Sequence, residues 1–418
     1  MLSEEAIERL TERLVNRIEQ GNTYVLEKIA NNIKKIGSLK PSDAYRLIQV
    51  FKYGGDYKKI VDALKRITNL NVKDIYDIFK EVAKSDYEFA EQFYKYRNQK
   101  YIPFDENVVL QRQVEALAEI TAKEYMNLSR TKAIGFSVRN KKGDIIFQDL
   151  STTYQDTIDK AIMNIAQGKT TYQEEMYKIM KELGGSGIKV LDYDNGRTMR
   201  MDSAIRMHMK DAIRSLHNET QLNLGKQFKS DGVEVTVHLS PAPDHAEVQG
   251  KQFSNEEFDN FQNDKKATSY DGVVFPPEHN GRDRRSIGQY NCYHYIFAII
   301  LGVNKPQYSN KELKEIINTN EKGFDFEGKH YTMYEGTQLQ RKLETAIRRN
   351  KDLQIMGKTS NNEKLRIESQ LQINRLTKKY NKLNKVSGLS SKKQRLRVSG
   401  YRKSRVWLIY KNSYNKNW

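Results

Sequence analysis

Hydrophobic residues recur at spacings of three and four through much of residues 3–100. Ile7, Leu10, Leu14 and Ile18 form one such stripe, the mark of an amphipathic helix. Ser3 ahead of Glu4 and Glu5 supplies a cap and an acidic first turn. Lys40-Pro41-Ser42-Asp43 and Gly54-Gly55 interrupt the pattern. Asn71 and Asp74 open a further helix carrying Val72, Ile75, Ile78 and Phe79. Pro103 marks a joint, after which the helical period returns over Asn107–Met126, Thr152–Leu183 and Arg197–Gln227. Gly184-Gly185-Ser186-Gly187 breaks the second of these from the third.

Strand signals are fewer. Phe136–Phe147 reads as a hairpin turning at Lys141-Lys142-Gly143-Asp144. Val233–His238 alternates as Val-Glu-Val-Thr-Val-His, a half-buried strand. Ser240–Asn291 is loop-rich, with Pro241, Pro243, Pro276 and Pro277, and apolar Tyr293–Leu301 suits either a buried strand or a short helix. Two long helices follow between Thr337 and Asn384, broken near Gly357–Asn362. The fold class is α+β and helix-dominated. The expected organisation is an N-terminal helical domain over 1–105, a second helical region over 106–190 and an α/β module over 191–305. A linker over 306–340 then leads to a basic helical arm and tail over 341–418.

Composition sharpens this picture at one point. The chain has 418 residues and a net charge of +18. Residues 341–418 hold 22 Lys and Arg against 4 Asp and Glu, whereas the other 340 residues hold 49 of each. The body is neutral and the C-terminal segment carries the whole imbalance. A basic block on a neutral body suits a polyanionic partner, bound in a salt-sensitive and largely sequence-blind way. The plainer reading is a solvated tail extended by its own repulsion. Lys392, Lys393, Arg395, Arg397, Arg402, Lys403 and Arg405 interleave with Tyr401, Trp407 and Tyr410. That mixture suits phosphate contact with stacking, and equally suits docking on an acidic protein surface.

Several function classes drop out. No run of 18 apolar residues exists to make a transmembrane helix. The acidic, amphipathic start MLSEEAIERL does not resemble a secretory signal, and the expectation is a cytoplasmic chain or one assembled into a particle there. A single cysteine, Cys292, excludes a disulfide framework. Gly187 is followed by Ile188, Lys189 and Val190, so no phosphate-binding P-loop forms there. Neither HExxH nor GxSxG occurs. Asp202 and Arg206 stand one helical turn apart, a spacing that supports a helix without implying chemistry.

Asp244-His245, with His279, Asn280, Asn291, Cys292 and His294 downstream, is the chemically richest set. His245, Cys292 and His294 are suitable ligands for zinc or another transition metal. A metal-dependent nuclease could also use such a set, with the cation stabilising a leaving phosphate oxygen. In the simplest alternative the histidines hydrogen-bond backbone groups and pin a long loop. The residues alone leave these open. They call for no organic cofactor.

Three separated elements carry a resemblance. Ser240-Pro-Ala-Pro-Asp-His245-Ala-Glu-Val-Gln249-Gly250-Lys251 is similar to a His-Ala-x-x-Gln-Gly-Lys element of the phage minor capsid protein 2 family, relatives of Mu F-like minor head proteins. Gly288-Gln-Tyr-Asn291-Cys292-Tyr293-His294 is similar to the family's Asn-Cys-Arg-His element, with Tyr293 in place of the arginine. The stretch from Tyr334 and Glu335 through Gln338, Arg341, Leu343 and Glu344 to Ile347 and Arg348 resembles the opening of its basic helical arm. The resemblance implies a Mu F-like α/β module, a type linked to an ADP-ribosyltransferase-like fold, without a nicotinamide-binding set. It implies a non-enzymatic minor protein of a tailed-phage head, in the virion near the portal vertex after assembly in the host cytoplasm. Expected partners are the portal protein, the major capsid protein and genomic double-stranded DNA, with no membrane. His245, Gln249, Gly250, Lys251, Asn291, Cys292 and His294 are then the packed heart of the module. Lys392, Lys393, Arg395, Arg397, Arg402, Lys403, Arg405 and Trp407 are the contact surface for DNA or partner. The rival from another class is a metal-dependent nuclease or other DNA-processing enzyme.

Overall fold

The computed structural model of the protein describes residues 4–36, 72–128, 134–140, 142–149, 152–153, 164, 172–191, 198–263, 269–270, 273–274, 285–288 and 292–403. Long helices dominate: Glu4–Ile36, Val72–Tyr96, Val108–Leu128, Tyr172–Ser186, Met201–Gln227, Met333–Thr359 and Glu363–Ser387. Small antiparallel sheets complete an α+β, helix-dominated fold. Among the described residues no helix is long and apolar enough to cross a membrane. The chain divides into two compact units, each assembled from distant segments. One comprises residues 1–12, 71–123 and 206–338, the other 13–70, 124–205 and 339–418.

The first unit is organised by a three-stranded sheet. Strands β5 (Gly232–Val235), β6 (Gln252–Ser254) and β9 (Ile296–Ile299) lie in the order β6-β5-β9. Between β6 and β9 in sequence, β7 (Ser269–Tyr270) and β8 (Val273–Val274) pair with each other. The alternation read at Val233 and Val235 is real, and its register sets Val233 opposite Phe253 and Ala298, and Val235 opposite Ile296. Period-two geometry turns these side chains to one face, where they join Val248, Phe258, Phe261 and Ile287 in the core. The ambiguous 293–301 stretch resolves as a strand because β5 offers it a pairing edge. Helix 72–96 buries Ile75, Ile78, Phe79, Val82 and Ala83, the stripe expected from Val72 onward, though Val72 itself is exposed. In the 206–227 stretch His217 is fully buried, bridging Asp86 Oδ2 (2.7 Å) and the Ile296 carbonyl (2.9 Å).

Residues 306–340, expected as a linker, carry secondary structure of their own. Helix Asn310–Lys322 begins with a capping box between Ser309 and Glu312. A two-stranded hairpin follows, β10 (Phe324–Phe326) with β11 (Lys329–Tyr331).

The second unit combines a four-stranded sheet with a helical hairpin. The sheet contains β1 (Ile134–Arg139), β2 (Ile145–Asp149), β3 (Lys189–Leu191) and β4 (Thr198–Arg200), in the order β2-β1-β3-β4. The hairpin β1–β2 is the one predicted, and Asn140 Oδ1 closes its turn by accepting from the Lys142 and Asp144 amides, both at 2.9 Å. The helical stretch expected from Arg197 starts later. Residues 198–200 pair with β3 and the helix begins at Met201.

Helices 333–359 and 363–387 turn at 360–362, where the periodicity broke. Asn361 takes a left-handed φ of 60°, and the Asn362 side chain caps the second helix by accepting from the Leu365 amide at 3.0 Å. Gly357 lets the helices approach, since a Cβ there would lie 2.7 Å from the Arg366 amide nitrogen. Ile347, Met356, Leu365, Tyr380 and Leu383 are buried. Residues 388–403 do not trail as a solvated tail. Tyr401 donates to Gln370 Oε1 (3.1 Å), Gln354 to the Arg402 carbonyl (3.2 Å) and Thr23 to the Ser399 carbonyl (2.8 Å).

Four charges are sealed inside this unit. Arg200 meets Asp352 at 2.7 Å and Asp202 at 3.2 Å, and Arg348 meets Asp202 at 2.6 Å. All four side chains are buried. Asn22 adds a hydrogen bond to Asp352 at 3.3 Å. Burial pushes the Asp352 carboxyl up, against the pull of Arg200. Removing one member strands its partner in a medium that solvates charge poorly. Asp352→Ala should therefore lower stability by about 3–5 kcal/mol in urea denaturation, with Asp352→Asn recovering part of the loss. A change within experimental error would show that the network is not stabilising.

Candidate functional site

Between β5 and β6 the chain makes a long excursion over residues 236–251. It returns to the sheet through two hydrogen bonds, Gly250 N–H to the Val235 carbonyl (2.8 Å) and Val235 N–H to the Lys251 carbonyl (3.1 Å). Gly250 has a φ of +70°, and a Cβ would lie 2.4 Å from Leu313 Cδ2 and 2.8 Å from Val237 Cγ2. Both the conformation and the space call for glycine.

Just before that return, His245 and Gln249 enter the interior. The segment leading into β9 contributes Cys292 and His294. Cys292 Sγ lies 3.5 Å from His245 Nδ1 and 3.5 Å from His294 Nδ1. The His294 amide also points at the sulfur, at 3.4 Å. His245, Cys292 and His294 are each 1–2% exposed. The opposite nitrogens of both rings are held by oxygen: His245 Nε2 by the Arg285 carbonyl at 2.8 Å, and His294 Nε2 by Gln249 Oε1 at 3.1 Å. The same Gln249 oxygen accepts the His238 amide at 2.7 Å. Burial would raise the Cys292 thiol, yet the contacts with the His245 and His294 rings outweigh it and hold it well below its ordinary value.

A second layer fixes this cluster. Asp244, fully buried, takes a two-pronged contact from Arg285, Nε to Oδ2 at 2.8 Å and Nη2 to Oδ1 at 2.7 Å. Burial opposes its ionisation, but the two-pronged contact from Arg285 brings the carboxyl down to about 2. Arg214, on helix 201–227, donates to the Gly288 carbonyl (3.0 Å) and to the Cys292 carbonyl, and pairs with Asp211 at 2.7 Å. His238 stacks on Tyr293 with ring centres 5.1 Å apart.

The structure thus brings together His245, Gln249, Gly250, Cys292 and His294 from two sequence elements about forty residues apart. Lys251 stands at the rim, contributing its backbone to the sheet. Asn291 lies outside the described residues. Arg214 and Arg285 escaped sequence reading, because an arginine among many others carries no spacing signal.

The basic residues expected at a contact surface belong to the second unit. Lys393, Arg397, Arg402 and Lys403 are exposed, whereas Lys392 and Arg395 are half-buried; Arg405 and Trp407 lie outside the described residues. Sequence reading missed an addition. Arg375, Lys378, Lys382 and Lys385 on helix 363–387 are all exposed, and their spacing of three and four sets them on one helical face. That recurrence was visible in the sequence, but only burial distinguishes an outward stripe from one turned to a partner helix.

These features define a helix-rich α+β protein with a polar, closely bonded module interior and a basic helical face. Residues 2–384 match the model of phage minor capsid protein 2, and the chain belongs to that family. It is a minor structural protein of the phage capsid, and its place is the virion. No curated protein and no solved structure matches it.

Gly250→Ala should cost about 1–2 kcal/mol from the left-handed backbone alone, with the clash against Leu313 adding to it. Urea midpoints of the two proteins measure this. Equal midpoints would mean that the return turn relaxes freely.

Proposed function

We propose that this minor capsid protein sits beside the portal in the phage head and turns its basic C-terminal face toward packaged DNA. One observation carries the reading: residues 341–418 hold 22 basic and 4 acidic residues on an otherwise neutral chain. The exposed row Arg375, Lys378, Lys382 and Lys385, with Lys393, Arg397, Arg402 and Lys403 beyond it, supplies charge at the surface. A row of cations along about 15 Å of helix can neutralise several phosphates without reading bases. Protein contacts, with the portal and the major capsid protein, fall to the rest of the chain, whose residues 1–340 carry no net charge.

Burial of His245, Cys292 and His294 supports a structural role over the nuclease alternative. A cation that cleaves DNA must meet a phosphodiester, and donors 1–2% exposed offer that substrate no approach.

Two measurements test the reading. Substituting Gln for Arg375, Lys378, Lys382 and Lys385 together should weaken binding to duplex DNA of any sequence, and flatten the dependence of log K on log salt by about 1 for each phosphate that is no longer neutralised. Binding that keeps its salt slope would remove DNA from the proposal. Cross-linking of purified particles should join this chain to the portal protein at a fixed low ratio. Cross-links confined to capsid faces distant from the portal would overturn the location.

A further inference from the structure

We infer that His245, Cys292 and His294 form a zinc site that staples the 236–251 excursion to the strand entering β9. All three residues belong to the first unit, and the site needs no DNA or portal contact.

The Arg285 carbonyl oxygen can only accept, so His245 Nε2, 2.8 Å away, carries the hydrogen. Gln249 Oε1 is identified as the amide oxygen by the His238 N–H that donates to it, so His294 Nε2, 3.1 Å away, is also a donor. In the neutral imidazole the other nitrogen is then bare. Both bare Nδ1 atoms face the same sulfur at 3.5 Å. A thiol has one proton and can satisfy only one of them. A cation between the three satisfies both nitrogens and the thiolate at once.

The distances agree. Zinc held at its usual separations from sulfur and imidazole nitrogen gives a tetrahedral sulfur-to-nitrogen edge of about 3.6 Å. Both such edges measure 3.5 Å here. The three donor atoms lie within 4.8 Å of one another, and the edge between the two nitrogens needs to close to about 3.3 Å around zinc. Two nitrogens and one sulfur suit zinc over magnesium or calcium, which take oxygen.

The surroundings resemble the outer layer of a metal site. Each imidazole donates its second N–H to a fixed oxygen, the arrangement that sets tautomer and ring orientation in metal-ligating histidines. Asp244 grips Arg285, whose carbonyl holds His245. Arg214 and the His294 amide fix the backbone and sulfur of Cys292. Three protein donors leave one tetrahedral position for a solvent molecule. The rival arrangement is metal-free, an imidazolium–thiolate pair.

The full-length chain, purified without chelator, should retain one zinc per molecule after exhaustive dialysis. Exchange to cobalt(II) should give intense visible bands and a thiolate-to-cobalt charge-transfer absorption, a readout that needs no variant. Cys292→Ser should abolish the charge-transfer band, and Gln249→Ala, which frees the far nitrogen of His294, should weaken zinc affinity by about 10–100-fold. A folded wild-type chain that retains no zinc and shows no cobalt charge transfer overturns the site in favour of the metal-free pair. Zinc retained at wild-type affinity by Cys292→Ser assigns the metal elsewhere and overturns it equally.

Discussion

A charge removed from water has to meet a partner, and that requirement governs the interior of both units. Only 38% of the chain is hydrophobic and 30% is charged, so apolar side chains alone do not fill the core. Polar and ionised groups go inside as well. In the second unit Arg200, Asp202, Arg348 and Asp352 close on one another, joining the start of helix 201–227 to helix 333–359. In the first unit Asp244 with Arg285, and Asp86 with His217, do the same between segments far apart in sequence. Such pairs stabilise little relative to a well-packed apolar core, but they tolerate few alternative arrangements, because any slip strands a buried charge.

The polar module interior obeys the same rule. Gln249 is bonded to the His238 amide and to His294, and so ties the excursion to the strand entering β9. Gly250 allows the chain to rejoin β6 immediately afterwards. His245, Gln249, Cys292 and His294 are therefore bonded to one another in the interior, rather than displayed at the surface. That arrangement suits a capsid component, whose task is to keep one shape while holding partners. Its exposed chemistry lies elsewhere, on the basic face of helix 363–387 and the strapped segment after it.

Much of this was readable from the chain. The hydrophobic period gave the start of helix 72–96, helix 108–128 nearly to its ends and the far end of helix 201–227, because a buried stripe on a helix needs a recurrence of three and four. Alternation gave β5, and Lys141 through Asp144 gave the first hairpin, because turns and strands leave local marks. The break at 360–362 was equally local. His245, Cys292 and His294 were identifiable as a chemical set from residue type and resemblance, and the basic excess of 341–418 from counting alone.

Other features had no local mark. Whether 293–301 becomes a strand depends on β5 lying beside it, a long-range event. Residues 198–200 pair with β3 although the neighbouring sequence has a helical period. Residues 388–403 look like a repelling basic tail, yet Gln354, Gln370 and Thr23 bind them down, and no charge count reveals those partners. The sequence by itself determined most of the long helices, β5, the first hairpin, the class and the location of the charge, since these follow from interactions within a few residues or from counting. Only the tertiary structure decided that two imidazoles turn their Nδ1 atoms toward one sulfur, and that four charges share one interior. Those outcomes depend on distances between residues 47 and 152 positions apart, which the folded chain alone brings together.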